Sequence, residues 1–307
     1  MHEETELSAP PAGPQLQAGR YDAAVFAGGG CRCFWQLGFW SVAAPALELA
    51  PRTVAGVSAG AAMACAALLG RCEQTLALFM AATSRNPRNI YPANPLRGEP
   101  LFPHHRMYRE AILGIVDQDG LRRLQTDTEL RMVLARPPAR LGPRLSLLVG
   151  LGCYLVERRR GDPVHSRLAR RLGFEAEAVS VRRCRTPEEL ADLVLASSCT
   201  PPFTPALRWT GSPVLDGSLA QSVPVDALDG DEQRTLVLLS RRYGAPPPSR
   251  PDRVYVAPSE PAPVGKWDYT RPHLLQRTYD LGRRDAEAFL VSRERRLSGV
   301  VSSSSLA

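Results

Sequence analysis

The sequence predicts an α/β protein with a mostly parallel central sheet, and three observations carry that reading. "YDAAVFA" (21–27) is a short apolar run that ends in three glycines. "RTVAGV" (52–57) is a second such run. Each is followed by a stretch of helical character, "FWQLGFWSVAAPALELA" (34–50) and "SAGAAMACAALLG" (58–70). Strand, helix, strand, helix in that order favours parallel pairing, because the helix supplies the crossover that parallel neighbours require.

Short apolar runs bounded by glycine read as buried strands entering tight turns. In the first helix Pro45 marks a kink or a boundary, since proline lacks the amide a helix interior needs. The apolar run from Ala59 to Ala82 is cut by Arg71, Glu73 and Gln74, so it reads as buried helix and not as a membrane span. Residues 86–103 hold five prolines and read as an irregular surface segment. Helices are expected at 104–116 and 126–136. "TPEELADLVLASS" (186–198) carries a capping box, with Thr186 at the N-cap, Pro187 at the first helical position and Glu189 at N3. "ALRWTGSPVLDG" (206–217) reads as a hairpin turning at Thr210-Gly211-Ser212. "RTLVLLS" (234–240) and "RVYVAP" (253–258) read as further strands, and 271–296 as a last long helix. Residues 1–20 and 297–307 read as disordered tails. The core is expected over 21–228, with 229–296 completing the same domain.

The chain has 307 residues, 44% apolar and 22% charged, enough for a sizeable core. Its net charge is +7, carried almost wholly by arginine, with Lys266 the one lysine. The arginines form no dense block interleaved with aromatics, which argues against nucleic acid and leaves attraction to an anionic lipid surface open. "ERRR" (157–160) and "SRRY" (240–243) read as solvated clusters. The seven cysteines (31, 33, 65, 72, 153, 184, 199) include no CxxC pair and fit a reducing cytoplasm as small apolar fillers. The five histidines (2, 104, 105, 165, 273) share no metal-ligand spacing with them, so no metal site is expected. The acidic, proline-rich N-terminus has no apolar core and does not read as a signal peptide. A cytoplasmic protein, at most peripheral to membranes, is the expectation.

Gly56-Val57-Ser58-Ala59-Gly60 matches G-x-S-x-G. A serine nucleophile must project from a sharp strand-to-helix turn. The neighbours at minus two and plus two are then pressed against strand and helix, and glycine relieves the clash. The helix N-terminus turns positive partial charge toward the serine oxygen. The plain alternative is an N-cap serine at an ordinary turn.

"FAGGGCRCFWQLG" (26–38) is a second glycine-rich turn after a strand. Gly28-x-Gly30-x-x-Cys33 nearly fits a dinucleotide fingerprint, with Glu48 near the position of a ribose acid, but the third glycine is missing. The other reading is an oxyanion hole, in which unobstructed glycine amides aim N–H groups at a developing oxyanion, and Arg32 anchors the loop or meets an anionic headgroup. A glycine-rich turn paired with a serine-bearing one favours the oxyanion reading. No histidine is placed to complete a triad. The candidate base is Asp216, in "VLDGSLAQSVP" (214–224), which also reads plainly as a turn aspartate.

The ordered set GGGxR, then GxSxG, then "ASS…P.F.P…DG" resembles the patatin-like phospholipases from about Asp22 to Asp226, and "YDLGRRDAEAFL" (279–290) is similar to the ends of bacterial members. The resemblance implies a three-layer α/β/α fold and a Ser-Asp dyad without histidine, with Ser58 as nucleophile and Asp216 as base. It implies oxyanion donors among the backbone amides of Gly29, Gly30, Cys31 and Arg32, a lipid acyl-ester substrate of phospholipase A or lysophospholipase type, and no cofactor. Two positions depart from the family pattern. Cys33 stands where the family has glycine, which is tolerable if that residue has ordinary helical dihedrals and distorting if it needs positive φ. Asp216-Gly217-Ser218 replaces DGG or DGA. A free carboxylate, with a pKa of about 3.9, is a weak base, so an apolar, desolvating pocket is expected around the dyad. The rival readings are a Ser-His-Asp esterase using Asp226 and His273, an inactive fold kept for lipid or protein binding, and nucleotide binding at the first glycine turn.

Overall fold

A computed structural model describes residues 21–138, 140–159, 168–232, 234–244 and 250–304. The tail at 1–20, His2 and His165 lie outside the described residues, as do the side chains at 157, 158 and 160 of the "ERRR" cluster.

In chain order the elements begin with β1 (Ala23–Phe26), α1 (Phe34–Ala46), β2 (Thr53–Val57) and α2 (Ala59–Leu68). Next come α3 (Cys72–Ser84), α4 (His104–Ile115), α5 (Gln118–Thr126), β3 (Glu129–Arg136), α6 (Pro143–Arg159), α7 (Leu168–Arg171) and β4 (Glu175–Ser180). The chain continues through α8 (Pro187–Ser197), β5 (Leu207–Trp209), β6 (Ser212–Asp216), β7 (Thr235–Leu238), β8 (Arg253–Val256) and α9 (Pro272–Ser304). The strands form one mixed sheet of eight in the order β5-β6-β3-β2-β1-β7-β8, with β4 also on β3. The β1–β2, β2–β3, β1–β7 and β7–β8 pairings are parallel. Helices flank this mostly parallel sheet, as the sequence predicts.

Side chains alternate along the strands, so Phe26 and Val54 join the large core packed by the helices, while Val25, Ala55, Val57 and Val237 meet Val223, Val225 and Ala227 on the other side. The long α9 clamps α1, and Trp35 Nε1 donates to Asp285 Oδ2 at 2.7 Å. It runs on to Ser304, past the expected end at 296.

Pro45 bounds α1, which ends one residue later. The run from Ala59 to Ala82 is two helices, broken at Gly70 with φ 68. The capping box forms at α8: Thr186 Oγ1 accepts from the Glu189 amide at 3.2 Å, and Glu189 Oε2 accepts from the Arg185 amide at 2.7 Å. Thr210 and Gly211 carry the left-handed φ values of 48° and 81° that a two-residue hairpin needs. The helix expected at 126–136 is not there: 129–136 is the strand β3, preceded by the unpredicted helix α5. Glu, Leu, Arg and Met favour helix in isolation, but β3 is paired along both edges, and that tertiary setting overrides the local preference.

The pairing of β3 positions the site. On one edge β2 pairs with it as far as Val57 opposite Val133, and there β2 turns away. The antiparallel β6 takes over the same edge, with Asp216 opposite Leu134 and Leu215 opposite Ala135. Ser58 and Asp216 therefore occupy adjoining places along one strand.

Candidate active site

Ser58 joins β2 to α2 with φ 54° and ψ −133°, a strained conformation for a residue with a side chain. Its hydroxyl makes no capping bond to α2, as an ordinary N-cap serine would. Instead Ser58 Oγ donates to Asp216 Oδ2 at 2.9 Å. Both side chains are buried, each residue only 4% exposed. Gly56 and Gly60 permit the turn: a Cβ on Gly56 would lie 2.7 Å from Ala61 Cα, and one on Gly60 would lie 2.5 Å from the carbonyl oxygens of Phe26 and Ala27. The second contact locks the serine turn against the start of the glycine loop.

Asp216 is held from several directions. Its Oδ1 accepts from the Ser218 amide at 2.8 Å, so the turn-aspartate reading holds for one oxygen. The other oxygen accepts from Ser58 Oγ and from Thr200 Oγ1 at 3.2 Å. The Asp216 amide donates to Cys199 O at 2.7 Å. The sequence reading assigned no role to Ser197, at the end of α8. Its hydroxyl accepts from the Ser58 amide at 2.9 Å and donates to Val133 O at 2.6 Å, tying the elbow to β3. The "ASS" run was its only signal. Tyr108, on α4, donates to Ser58 O at 3.5 Å, and burial pushes its phenol far above the ordinary tyrosine range, so it stays a neutral donor.

The glycine loop lies against the same junction. Gly30 has φ 60°, and a Cβ there would collide with Lys266 O. The Cys31 amide donates to that same carbonyl at 3.0 Å, which removes it from the set of four expected oxyanion donors. The Gly29 and Gly30 amides donate to no acceptor among the described residues. Arg32 Nε donates to Gly29 O at 3.4 Å, a contact that anchors the loop. Cys33 has φ −68° and ψ −10°, ordinary helical values, so glycine is not needed there. Its thiol is fully buried, and desolvation pushes it up to about 12. All seven cysteines are free and buried.

Between Gly30 and α2 lies an apolar cavity of about 30 Å³, lined by Ala59, Met63, Phe79, Tyr108, Ile115 and Tyr269 among others.

The residues of the rival assignments are engaged or exposed elsewhere. Asp226 is held by Arg170 at 3.3 Å and Gln221 at 2.8 Å, and His273 is exposed on α9. Glu48 follows α1 and precedes the parallel strand β2, which places it at the N-terminal ends of the strands, opposite the glycine turn and away from any ribose that turn would present. The one acidic group among the described residues with oxygens close enough to share a cation is Asp229, Asp231 and Glu232. There Asp229 already accepts from Arg131 at 2.6 and 3.1 Å, and Glu232 accepts from the amides of 229 and 230 at 2.8 Å.

A strand-end serine on a strained elbow, hydrogen-bonded to a carboxylate beside a glycine loop, is an arrangement that can support nucleophilic attack. The sequence model of one family, patatin-like phospholipase, matches residues 24–229. The chain belongs to this family, whose members are generally lipid acyl hydrolases. VipD from Legionella pneumophila is a similar solved structure, at 12% identity and a TM-score of 0.45, covering 89% of this chain and 67% of that one. No curated protein sequence matches significantly. Among the described residues no helix is long and apolar enough to cross a membrane.

Proposed function

We propose that the chain hydrolyses fatty-acyl esters of lipids, of phospholipase A or lysophospholipase type, with Ser58 as nucleophile and Asp216 as its base. The observation that carries the reading is the 2.9 Å hydrogen bond from Ser58 Oγ to Asp216 Oδ2. As Ser58 Oγ attacks the ester carbonyl, its proton passes to Asp216. The carbonyl oxygen gains negative charge and is met by the Gly29 and Gly30 amides and the positive end of α2. The tetrahedral intermediate collapses, the alcohol leaves with the proton from Asp216, and an acyl-Ser58 ester remains. Water, deprotonated by the same carboxylate, attacks that ester, and the fatty acid departs as Ser58 regains its proton. No metal or cofactor enters these steps. The cavity beside Ala59 and Gly30 supports the reading, since it sets apolar side chains next to the nucleophile, where an acyl chain would begin.

The test combines a fluorophosphonate probe with an ester panel of phosphatidylcholine, lysophosphatidylcholine and triglyceride. The folded protein is expected to be labelled and to release fatty acid, and Ser58→Ala to do neither. A folded protein that takes no label and cleaves no ester would leave the fold as a lipid- or protein-binding one.

A further inference from the structure

Residues 86–106, from the connection between α3 and α4 into the first turn of α4, shape one wall of a groove of about 910 Å³. The opposite wall includes Phe203, from the turn whose Thr200 donates to Asp216, and Phe203 packs on Phe102 at 4.7 Å between ring centroids. The segment is built to hold a shape. Its base is pinned by Asn86 Nδ2 donating to Tyr269 O at 2.8 Å and by the Tyr269 amide donating to Asn89 Oδ1 at 2.9 Å. Its tip is closed by the Tyr91 amide on Leu101 O at 2.9 Å and the Glu99 amide on Asn94 O at 3.0 Å. Five prolines restrict the chain further.

On this ordered frame the outward side chains are of two kinds. Leu96 is 90% exposed, the highest of any large apolar residue described, and Ile90 is 49% exposed. In the same stretch of chain Arg85, Arg88, Arg97 and Arg106 are all exposed, against one acid in the segment, Glu99. Arg88, Arg97 and Arg106 make no ion pair among the described residues, whereas Arg109, just beyond, pairs with Asp192 at 3.4 Å. Isolated exposed leucines are ordinary. A protruding leucine and isoleucine in one short segment with three guanidinium groups that make no ion pair among the described residues, beside a groove whose far wall carries Phe203, form a different pattern. Apolar side chains that enter a bilayer's headgroup region and cations that meet its phosphates reinforce each other.

We propose that this segment docks the protein on an anionic lipid surface, with Leu96 and Ile90 inserted and Arg88, Arg97 and Arg106 on the headgroup phosphates. The groove then opens toward the lipid from which an ester would be drawn. The inference rests on the lipid-ester reading above for its partner, and binding is measured separately from turnover. Ser58→Ala protein is sedimented with vesicles of phosphatidylcholine alone and of equimolar phosphatidylcholine and phosphatidylglycerol. Partitioning onto the anionic vesicles is expected to be at least about tenfold stronger and to weaken in high salt. Leu96→Asp and the pair Arg88→Glu with Arg97→Glu should each cut it by about tenfold. Arg277→Glu with Arg295→Glu on α9, the same change in net charge, should leave it within about twofold, because neither residue belongs to the docking segment. In protein that retains Ser58, the segment variants should hydrolyse a soluble short-chain ester at the unaltered rate. Equal binding to both vesicles, or equal losses from the segment and α9 variants, overturns the docking surface. Vesicle binding without any ester hydrolysis would overturn the enzymatic reading and leave the docking surface standing.

Discussion

Ser58 and Asp216 stand 158 residues apart in the chain, yet their side chains meet at 2.9 Å because β2 and β6 share one edge of β3. Replacing Asp216 by Asn keeps an acceptor for the Ser218 amide but removes the proposed acceptor of the serine proton. We expect kcat to fall about 10²–10⁴-fold, with the circular dichroism spectrum unchanged. An Asp216→Asn protein of undiminished activity would remove the carboxylate from the mechanism.

Ser197 acts on the elbow from behind. Its removal strands the buried Ser58 amide and the Val133 carbonyl together. Ser197→Ala should cost about 1–3 kcal/mol of stability, read as a lowered Tm, and should lower kcat with little change in KM. Ser197→Thr, which retains the hydroxyl, should recover part of both. A kcat that is untouched while Tm falls would make Ser197 a packing residue alone.

Cys33 should prove replaceable. Because it sits at helical dihedrals with a protonated, buried thiol, Cys33→Ala is expected to keep activity within about threefold and to cost roughly 1 kcal/mol for the emptied volume. The same burial should protect all seven thiols from a soluble disulfide reagent until the protein unfolds. A large drop in kcat for Cys33→Ala would show that the sulfur shapes the glycine loop.

The small cavity next to Ser58 sets an expectation for chain length. The cavity is narrow, about 30 Å³, so an acyl chain can enter it only as the side chains of its wall give way. Met63 is the flexible side chain in its wall, and Met63→Ala should move the optimum of kcat/KM toward longer p-nitrophenyl esters. Wild-type preference for long chains, unmoved by Met63→Ala, would place the acyl berth elsewhere.

His104 should make stability fall in mild acid. Its ring is packed among Phe102, Phe203, Trp267 and Tyr269, with Nε2 3.0 Å from Trp267 O and no partner for Nδ1 among the described residues. Desolvation lowers its pKa from the ordinary value, against an opposing pull from the Trp267 carbonyl. The unfolded chain then takes up a proton below about pH 6.5 that the folded protein refuses, so stability is full above that point and is lost as the pH drops. His105 is lowered too, by burial and by Arg109, and adds to the same trend. Urea midpoints between about pH 7 and pH 5 should decline for the wild type and less steeply for His104→Gln.

The parallel core was legible because β1 and β2 are apolar runs that end in glycine and are followed by helices. The site was legible for a related reason: strained turns demand glycine at Gly30, Gly56 and Gly60, and that demand is written locally. What could not be read was set by distant partners. The segment 129–136 carries helix-favouring residues and becomes a strand through pairing on both edges. The engagement of the Cys31 amide depends on Lys266, far along the chain, and the task of Ser197 depends on a carbonyl of β3. No local pattern announces either.

The sharing of one β3 edge by two strands also sets an order in time. On the ribosome the serine elbow emerges first, and the 158 residues that follow take roughly 10–30 s to synthesise. Through that interval the nascent chain carries a nucleophile with no proton acceptor, so the proposed ester cleavage is silent until β6 closes the sheet. On that reading a half-made copy is inert toward any ester it meets before its last strands are in place.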